Sequence, residues 1–278
     1  MIEKRVQKKT SKTSLKKTKN IALSIQFNLD GFSFCVSDFL TKKALLFTEY
    51  LFDKKQNTPE ELLKEIEKIF QSDANLQLEY NAVTVIHQNN LATLVPTLYF
   101  DENALANYLK FTIKTLKTDF IAFDDLPEIT AKNVYVPYIN INNYLFQNFG
   151  EFDYKHHHTV LIEKLLKIEN FKENTMYVNV SKNAIDVFVL KDIKVLLSNS
   201  FSYHTKEDFI YYLLFTAEQL QLNPAEFPLY FTGAIHINDD IYKITYKYIK
   251  NIFFLESKNA LLEELDISKH SNYILLGS

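Results

Sequence analysis

Three consecutive histidines, His156, His157 and His158, are the residues whose type most suggests chemistry, because imidazole is a common metal ligand. Their spacing argues otherwise. Neighbours on a strand alternate faces and neighbours in a turn splay apart, and no Cys, Asp or Glu with ligand spacing lies beside them, so a surface or linker cluster is expected and no metal site. His87 ends an apolar run and His204 precedes a helix start, and neither has a Ser or Cys placed as a nucleophile partner. Cys35 lies within a strand-like run, where a lone thiol behaves as a small hydrophobe. The acid pairs Asp124–Asp125 and Asp239–Asp240 are adjacent, whereas acid–base catalysis needs carboxyls opposed across a substrate; capping or solvation is their expected role. No catalytic residue is expected.

The chain has only four glycines, and loops that cradle phosphate need glycine so that backbone N–H groups can approach the oxygens. Its single cysteine excludes an internal disulfide or a multi-thiolate metal site and fits a reducing compartment. The apolar run Ile21 to Leu29 is broken by Ser24, Gln26 and Asn28, and no uninterrupted apolar stretch reaches the ~18 residues of a membrane span. A cytoplasmic protein without a signal peptide or membrane span is expected.

Lys plus Arg total 31 and Asp plus Glu 34, but residues 1–20 carry eight of the basic residues and one acid. The body is therefore acidic, near −10 on the same count, which argues against a body-wide nucleic-acid footprint. Residues 1–20, rich in Lys, Ser and Thr, are expected to be a disordered basic tail and the one place where nucleic acid could bind. The segment Ile241 to Lys250 interleaves aromatic and basic residues, yet Ile241, Ile244, Thr245, Tyr248 and Ile249 share one helical face, so an amphipathic helix accounts for it.

These residues need elements to position them. Met176 to Val180 and Ala184 to Leu190 alternate apolar and polar residues around a turn, and Val195 to Ser198 follows, giving an antiparallel meander. Thr205 and Asp208 form a capping box for a helix with Phe209, Leu213, Leu214, Ala217 and Leu220 on its apolar face, stopped by Asn223 and Pro224. Leu229 to Thr232 is a strand running into Gly233. The first half repeats this plan. A hairpin turns at Asp30–Gly31, Ala44 to Leu51 supplies a third strand, Thr58, Pro59 and Glu61 start a helix, and Val83 to Ile86 is a strand. Further strands are expected near Leu91 to Val95, Phe120 to Phe123 and Val134 to Val136, and helices over Asp101 to Leu109 and Asn142 to Phe149. Tyr154 to Ile168 links the halves and becomes helical from Thr159.

Two successive copies of meander, helix, strand, helix, strand make an α/β plan that resembles the actin-like ATPase superfamily of actin, heat-shock chaperones, sugar kinases and pilus-assembly ATPase homologues, and within it a bacterial family of unknown function. The resemblance covers the chain from Ile21 onward and rests on element order, on Ile25 to Asp38 and Tyr177 to Ile235, and on Phe231-Thr232-Gly233-Ala234 as the adenosine motif. It implies two similar lobes with ribonuclease-H-like duplication, each a mixed five-stranded sheet of three meander strands plus parallel strands. The lobes would span 21–170, including the linker helix, and 171–278. A nucleotide, if bound, would enter the interlobe cleft beside Asn28, Asn179, Ser181, Lys182, Thr232, Gly233 and Ala234.

The departures from the family pattern decide the expected activity. Active relatives have an Asp, any residue, then Gly after the first strand of each half, the carboxylate holding Mg²⁺ through water. Here those positions hold Asn28 and Asp30, then Asn179 and Ser181. Asn is neutral and a poor partner for a hard cation, and Asp in place of Gly sets negative charge against phosphate. Lys182 partly offsets this, and Asp186 falls where relatives often have Asp. The reading is a non-catalytic scaffold or regulatory module with a protein partner and no cofactor; the alternative is an ATP-binding protein or ATPase with Mg²⁺ in the cleft.

Overall fold

The computed structural model describes residues 6–11, 15, 20–110, 113, 116, 119–168 and 174–277. The expected lobe boundary at 170/171 lies outside them.

The first lobe opens with β1 (Val6–Thr10), β2 (Ile21–Asn28), β3 (Gly31–Asp38) and β4 (Ala44–Phe52), followed by α1 (Pro59–Ser72) and β5 (Ala82–His87). An antiparallel insert follows, made of β6 (Ala92–Pro96), α2 (Leu105–Leu109), β7 (Ala122–Leu126) and β8 (Ala131–Tyr135). The lobe closes with α3 (Ile139–Phe149) and β9 (Asp153–His156), and α4 (His157–Leu165) crosses to the second lobe. There, β10 (Thr175–Val180), β11 (Ala184–Lys191), β12 (Lys194–Ser202), α5 (Lys206–Gln219), β13 (Pro228–Gly233), α6 (Asp240–Tyr248) and β14 (Asn251–Phe254) precede two short helices, α7 (Ala260–Glu264) and α8 (Tyr273–Leu276).

The two main sheets repeat one topology. The second runs β12-β11-β10-β13-β14, a meander whose first strand pairs in parallel with β13, which pairs in parallel with β14. The first runs β1-β4-β3-β2-β5-β9, the same order with one strand added. The expected five-stranded sheet is therefore found in the second lobe, and the first has six strands.

The sixth strand corrects the expected disorder of the tail. Val6–Thr10 pairs antiparallel with β4, Lys8 Nζ lies 2.9 Å from Asp73 Oδ2, and Phe47 N–H donates to Ser11 Oγ. Capping an open edge satisfies a row of backbone groups that local composition does not reveal. Of the eight tail cations, only Lys8 and Lys9 fall among the described residues.

Local signals otherwise produced the expected elements. Thr58 Oγ1 accepts from Glu61 N–H, Pro59 takes the first helical position, and α1 buries Leu62, Ile66, Ile69 and Phe70. Full burial of each such side chain contributes about 1.5–3 kcal/mol before entropy is counted. The capping box of α5 is reciprocal between Thr205 and Asp208. Three readings need correction. Leu29 and Asp30 form the first hairpin turn, with Gly31 already paired to Asn28. The linker begins as β9, and helix starts at His157 rather than Thr159. Tyr248 of α6 is exposed, because the helix ends there and Ile249 turns inward instead. Among the described residues, no helix is long and apolar enough to cross a membrane.

The lobes share a core. Leu161, Ile162 and Leu165 of α4 pack with Ile86 of the first lobe, Tyr177, Phe188 and Leu190 of the second, and Tyr273 and Ile274 of α8. The C-terminal segment also reaches back to the first sheet, where Leu261, Leu262 and Leu276 meet Cys35 and Phe47.

Candidate functional site

The two first-strand hairpins face each other across a cleft of about 710 Å³ between the lobes. Asn28, Asn179, Ser181, Lys182, Gly233 and Ala234 all line it, so the sequence brought six of its seven expected site residues to one place. Thr232 lies buried behind them, its hydroxyl on Asn179 Oδ1 at 3.2 Å. Phe32 packs away from the cleft, 6.0 Å from the Phe70 ring, and does not block it.

Each asparagine spends its amide inside the protein. Asn28 Oδ1 accepts from Asp30 N–H at 2.8 Å, fixing the tight turn, and its Nδ2 donates to Gln88 Oε1 at 2.9 Å. Gln88 also accepts from Gln26 Nε2 and donates to Ser181 Oγ at 3.2 Å, so one side chain ties the first hairpin to the second across the cleft floor. Asn179 Nδ2 donates to Asp186 Oδ2 at 2.9 Å. Neither position offers a free anionic oxygen to a cation.

Charge in the cleft also opposes a polyphosphate. Asp30, Glu49, Asp53 and Asp266 line it against Lys9 and Lys182. Burial pushes the Glu49 carboxyl upward, which softens the imbalance without reversing it. Lys182 stands exposed at the tip of the second hairpin.

Gly233 answers to the backbone. Its φ is +85°, and a Cβ there would sit 2.2 Å from Val180 O, the carbonyl that accepts from Ala234 N–H. Its own N–H donates to His270 O at 2.9 Å, and His270 Nε2 lies 2.6 Å from Ile235 O while its ring stacks on Phe254. The C-terminal segment thus takes up the Gly233 N–H of the turn that the resemblance assigned to adenosine.

Behind the second hairpin runs a polar row that the sequence did not disclose. Ser200 on β12, Asp186 on β11, Asn179 on β10 and Thr232 on β13 are cross-strand partners in register, so their side chains share one sheet face. That face otherwise carries Tyr177, Phe188, Leu190 and Tyr230 and packs under α4. The first residues of α4 meet the row: His157 Nε2 lies 3.1 Å from Asp186 Oδ2, and His158 Nε2 lies 3.3 Å from Asp186 Oδ1 and 3.0 Å from Ser200 Oγ. Burial alone would raise the Asp186 carboxyl; His157 and His158 overcome it and hold the group well below the usual carboxylate range. The three histidines, expected as a surface or linker cluster, lie in the linker and are all buried. His156 caps the helix, its Nδ1 accepting from His158 N–H and its Nε2 facing Asn89 O at 2.9 Å. Asp124, expected in or near a turn, lies on β7 and backs that cap, its Oδ2 accepting from His156 N–H and Thr159 Oγ1.

Comparison with known proteins places residues 10–252 in a family described as protein of unknown function (DUF3822). The chain belongs to this family. The DUF3822 chain is similar in structure to a Bacteroides thetaiotaomicron protein with an actin-like ATPase fold and unknown function, at TM-score 0.78 and 23% identity, covering 95% of this chain and 97% of that one. The pilus-assembly protein of the PilM–PilN type IV pilus biogenesis complex aligns at TM-score 0.55 and 12% identity, covering 92% and 96%. The ethanolamine utilization protein EutJ of Carboxydothermus hydrogenoformans aligns at 0.50 and 8%, covering 93% and 88%. No protein of curated function matches. The fold is thus actin-like, as the resemblance implied; at these identities the likeness extends to fold alone.

Proposed function

We propose that this chain is a non-catalytic scaffold or regulatory module that binds another protein, built on an actin-like body whose nucleotide chemistry has been replaced by internal hydrogen bonds. The observation that carries this reading is the fate of Asn28 and Asn179. Both stand where the superfamily places its metal-side carboxylates, and both amides are committed, to Gln88 and to Asp186. A catalytic ATPase needs preorganised charge at the phosphates, and this cleft offers amides and surplus carboxylates. The PilM likeness supports the binding half, since that protein is seen in a complex with PilN. A reducing, cytoplasmic setting suits the lone cysteine.

The cleft volume supports one other reading, retained nucleotide binding without hydrolysis, because about 710 Å³ falls within the ~300–1,000 Å³ typical of ligand sites. A thermal-shift titration separates the two. A ligand present at about 100 times its dissociation constant adds roughly 2.7 kcal/mol, so a saturable rise in Tm with ATP or ADP, with or without Mg²⁺, would establish binding and sink the emptied-cleft reading. The expected result is no shift at millimolar nucleotide. For the binding half, a reproducible, stoichiometric partner should copurify at mild salt; a monomer recovered alone would remove that support.

A further inference from the structure

We infer that His157, His158 and Asp186 form a binding site for a transition-metal ion of the Zn²⁺ class, placed where the crossover helix meets the second sheet. One ring nitrogen each from His157 and His158 and a carboxylate oxygen of Asp186 all lie within 4.8 Å of one another, and all three residues are buried. Zn²⁺ bonds to imidazole nitrogen and carboxylate oxygen at about 2.0–2.2 Å, so the edges of a tetrahedral shell are about 3.3 Å long. His157 Nε2 to Asp186 Oδ2 and His158 Nε2 to Asp186 Oδ1, at 3.1 and 3.3 Å, come close to that length, one histidine at each carboxylate oxygen.

Alignment separates coordination from a simple ion pair. Although His157 Nε2 is 3.1 Å from Asp186 Oδ2, neither ring nitrogen of His157 makes a well-aligned hydrogen bond among the described residues. A buried imidazole left without an aligned bond is costly, and an ion shared with Asp186 would satisfy His157; His158 Nε2, which meets Asp186 Oδ1 and Ser200 Oγ, would exchange those contacts for the ion. The surrounding groups match an outer coordination shell. Ser198 Oγ lies 3.1 Å from His158 Nδ1, Ser200 Oγ donates to Asp186 Oδ1 at 2.6 Å, and Asn179 Nδ2 donates to Asp186 Oδ2. Such partners set the tautomer of a ligating histidine and hold its carboxylate in place.

The donor set of two imidazoles and one carboxylate suits Zn²⁺, Co²⁺ or Ni²⁺ and disfavours Mg²⁺, which prefers six oxygens. The ion would pin the start of α4 to β11, joining the lobes at the helix that connects them, with Asn179 linking this site to the cleft.

The test uses the full chain without a histidine tag, expressed in zinc-supplemented and in zinc-depleted medium so that metal can load during folding, then purified in chelator to strip surface ions. Elemental analysis should find about one zinc per wild-type chain from supplemented medium, and a higher Tm than for the depleted protein. His157→Gln should lose at least nine-tenths of that zinc, while His236→Gln, at the separate His236–His270 pair, should keep it. Cobalt-loaded wild type should show the intense visible bands of tetrahedral Co²⁺. Zinc-free wild type, or His157→Gln with full zinc, overturns the site and leaves an ion pair only. Should His157→Gln fail to fold by circular dichroism, wild-type zinc content and the cobalt spectrum decide, and absence of either overturns the site.

Discussion

Asn179 and Asp186 face each other across the β10–β11 ladder, the amide Nδ2 donating to the carboxylate Oδ2 at 2.9 Å. The resemblance implies a metal-side carboxylate where Asn179 stands; here a carboxylate is already beside it, and the amide is what that neighbour requires. Asn179→Asp should therefore not restore ATP hydrolysis. It would set two buried carboxylates together and remove a donor, costing roughly 2–4 kcal/mol. Urea denaturation in chelator-containing buffer reads this out, and a variant as stable as wild type would contradict the arrangement.

Gly233→Ala should destabilise the second lobe irrespective of any ligand. The added Cβ would meet Val180 O at 2.2 Å in a backbone with φ of +85°, so β10 and β13 must part locally, at a cost of about 3 kcal/mol. If the loss were small while nucleotide affinity fell, the glycine would instead be serving a ligand.

His87 should make stability fall in mild acid. Burial lowers its pKa from 6.5 to about 4. Its Nδ1 accepts from Tyr138 N–H at 3.2 Å, which leaves Nε2 to donate to Asn142 Oδ1, and a second proton would displace the Tyr138 bond. Because the unfolded chain binds this proton first, the stabilisation is complete above about pH 6.5 and declines towards pH 4, by up to about 3 kcal/mol. His156 and His158 are also shifted downward by burial, so the diagnostic is the difference between wild type and His87→Gln at pH 7 and pH 4.5. Equal pH profiles would exclude His87 as the source.

Cys35 should be inert while the chain is folded. Burial pushes its thiol up to about 12, and Leu261, Leu262 and Leu276 cover it from the C-terminal segment. A thiol reagent at neutral pH should label it only after denaturant is added. Fast labelling of native protein would mean that the C-terminal segment releases from the first sheet.

The duplicated architecture was legible because its signals are local. Alternation in Ile21 to Phe27 and Met176 to Val180, caps at Thr58 and Thr205, and stops at Gly150 and Asn223 each depend on a few neighbouring residues, and their repetition in order gave the fold. The hairpin residues could be placed in the cleft for the same reason, since topology carries them there once the strands are known.

What the sequence determined, then, was which segments are strands and helices, in what order, and that asparagines stand at 28 and 179, where the resemblance implies carboxylates. Only the tertiary structure decided what those asparagines do, where the tail goes and whether the histidines are wet. Asp186 lies 28 residues from His158, and Ser200 lies 42 from it; no local period links them. They meet because the β10–β11–β12 register lines polar residues up on one sheet face and α4 crosses that face with its first turn directly above. Adjacent histidines that diverge on a strand can converge when a helix begins between them, and His156 ends β9 while His157 opens α4.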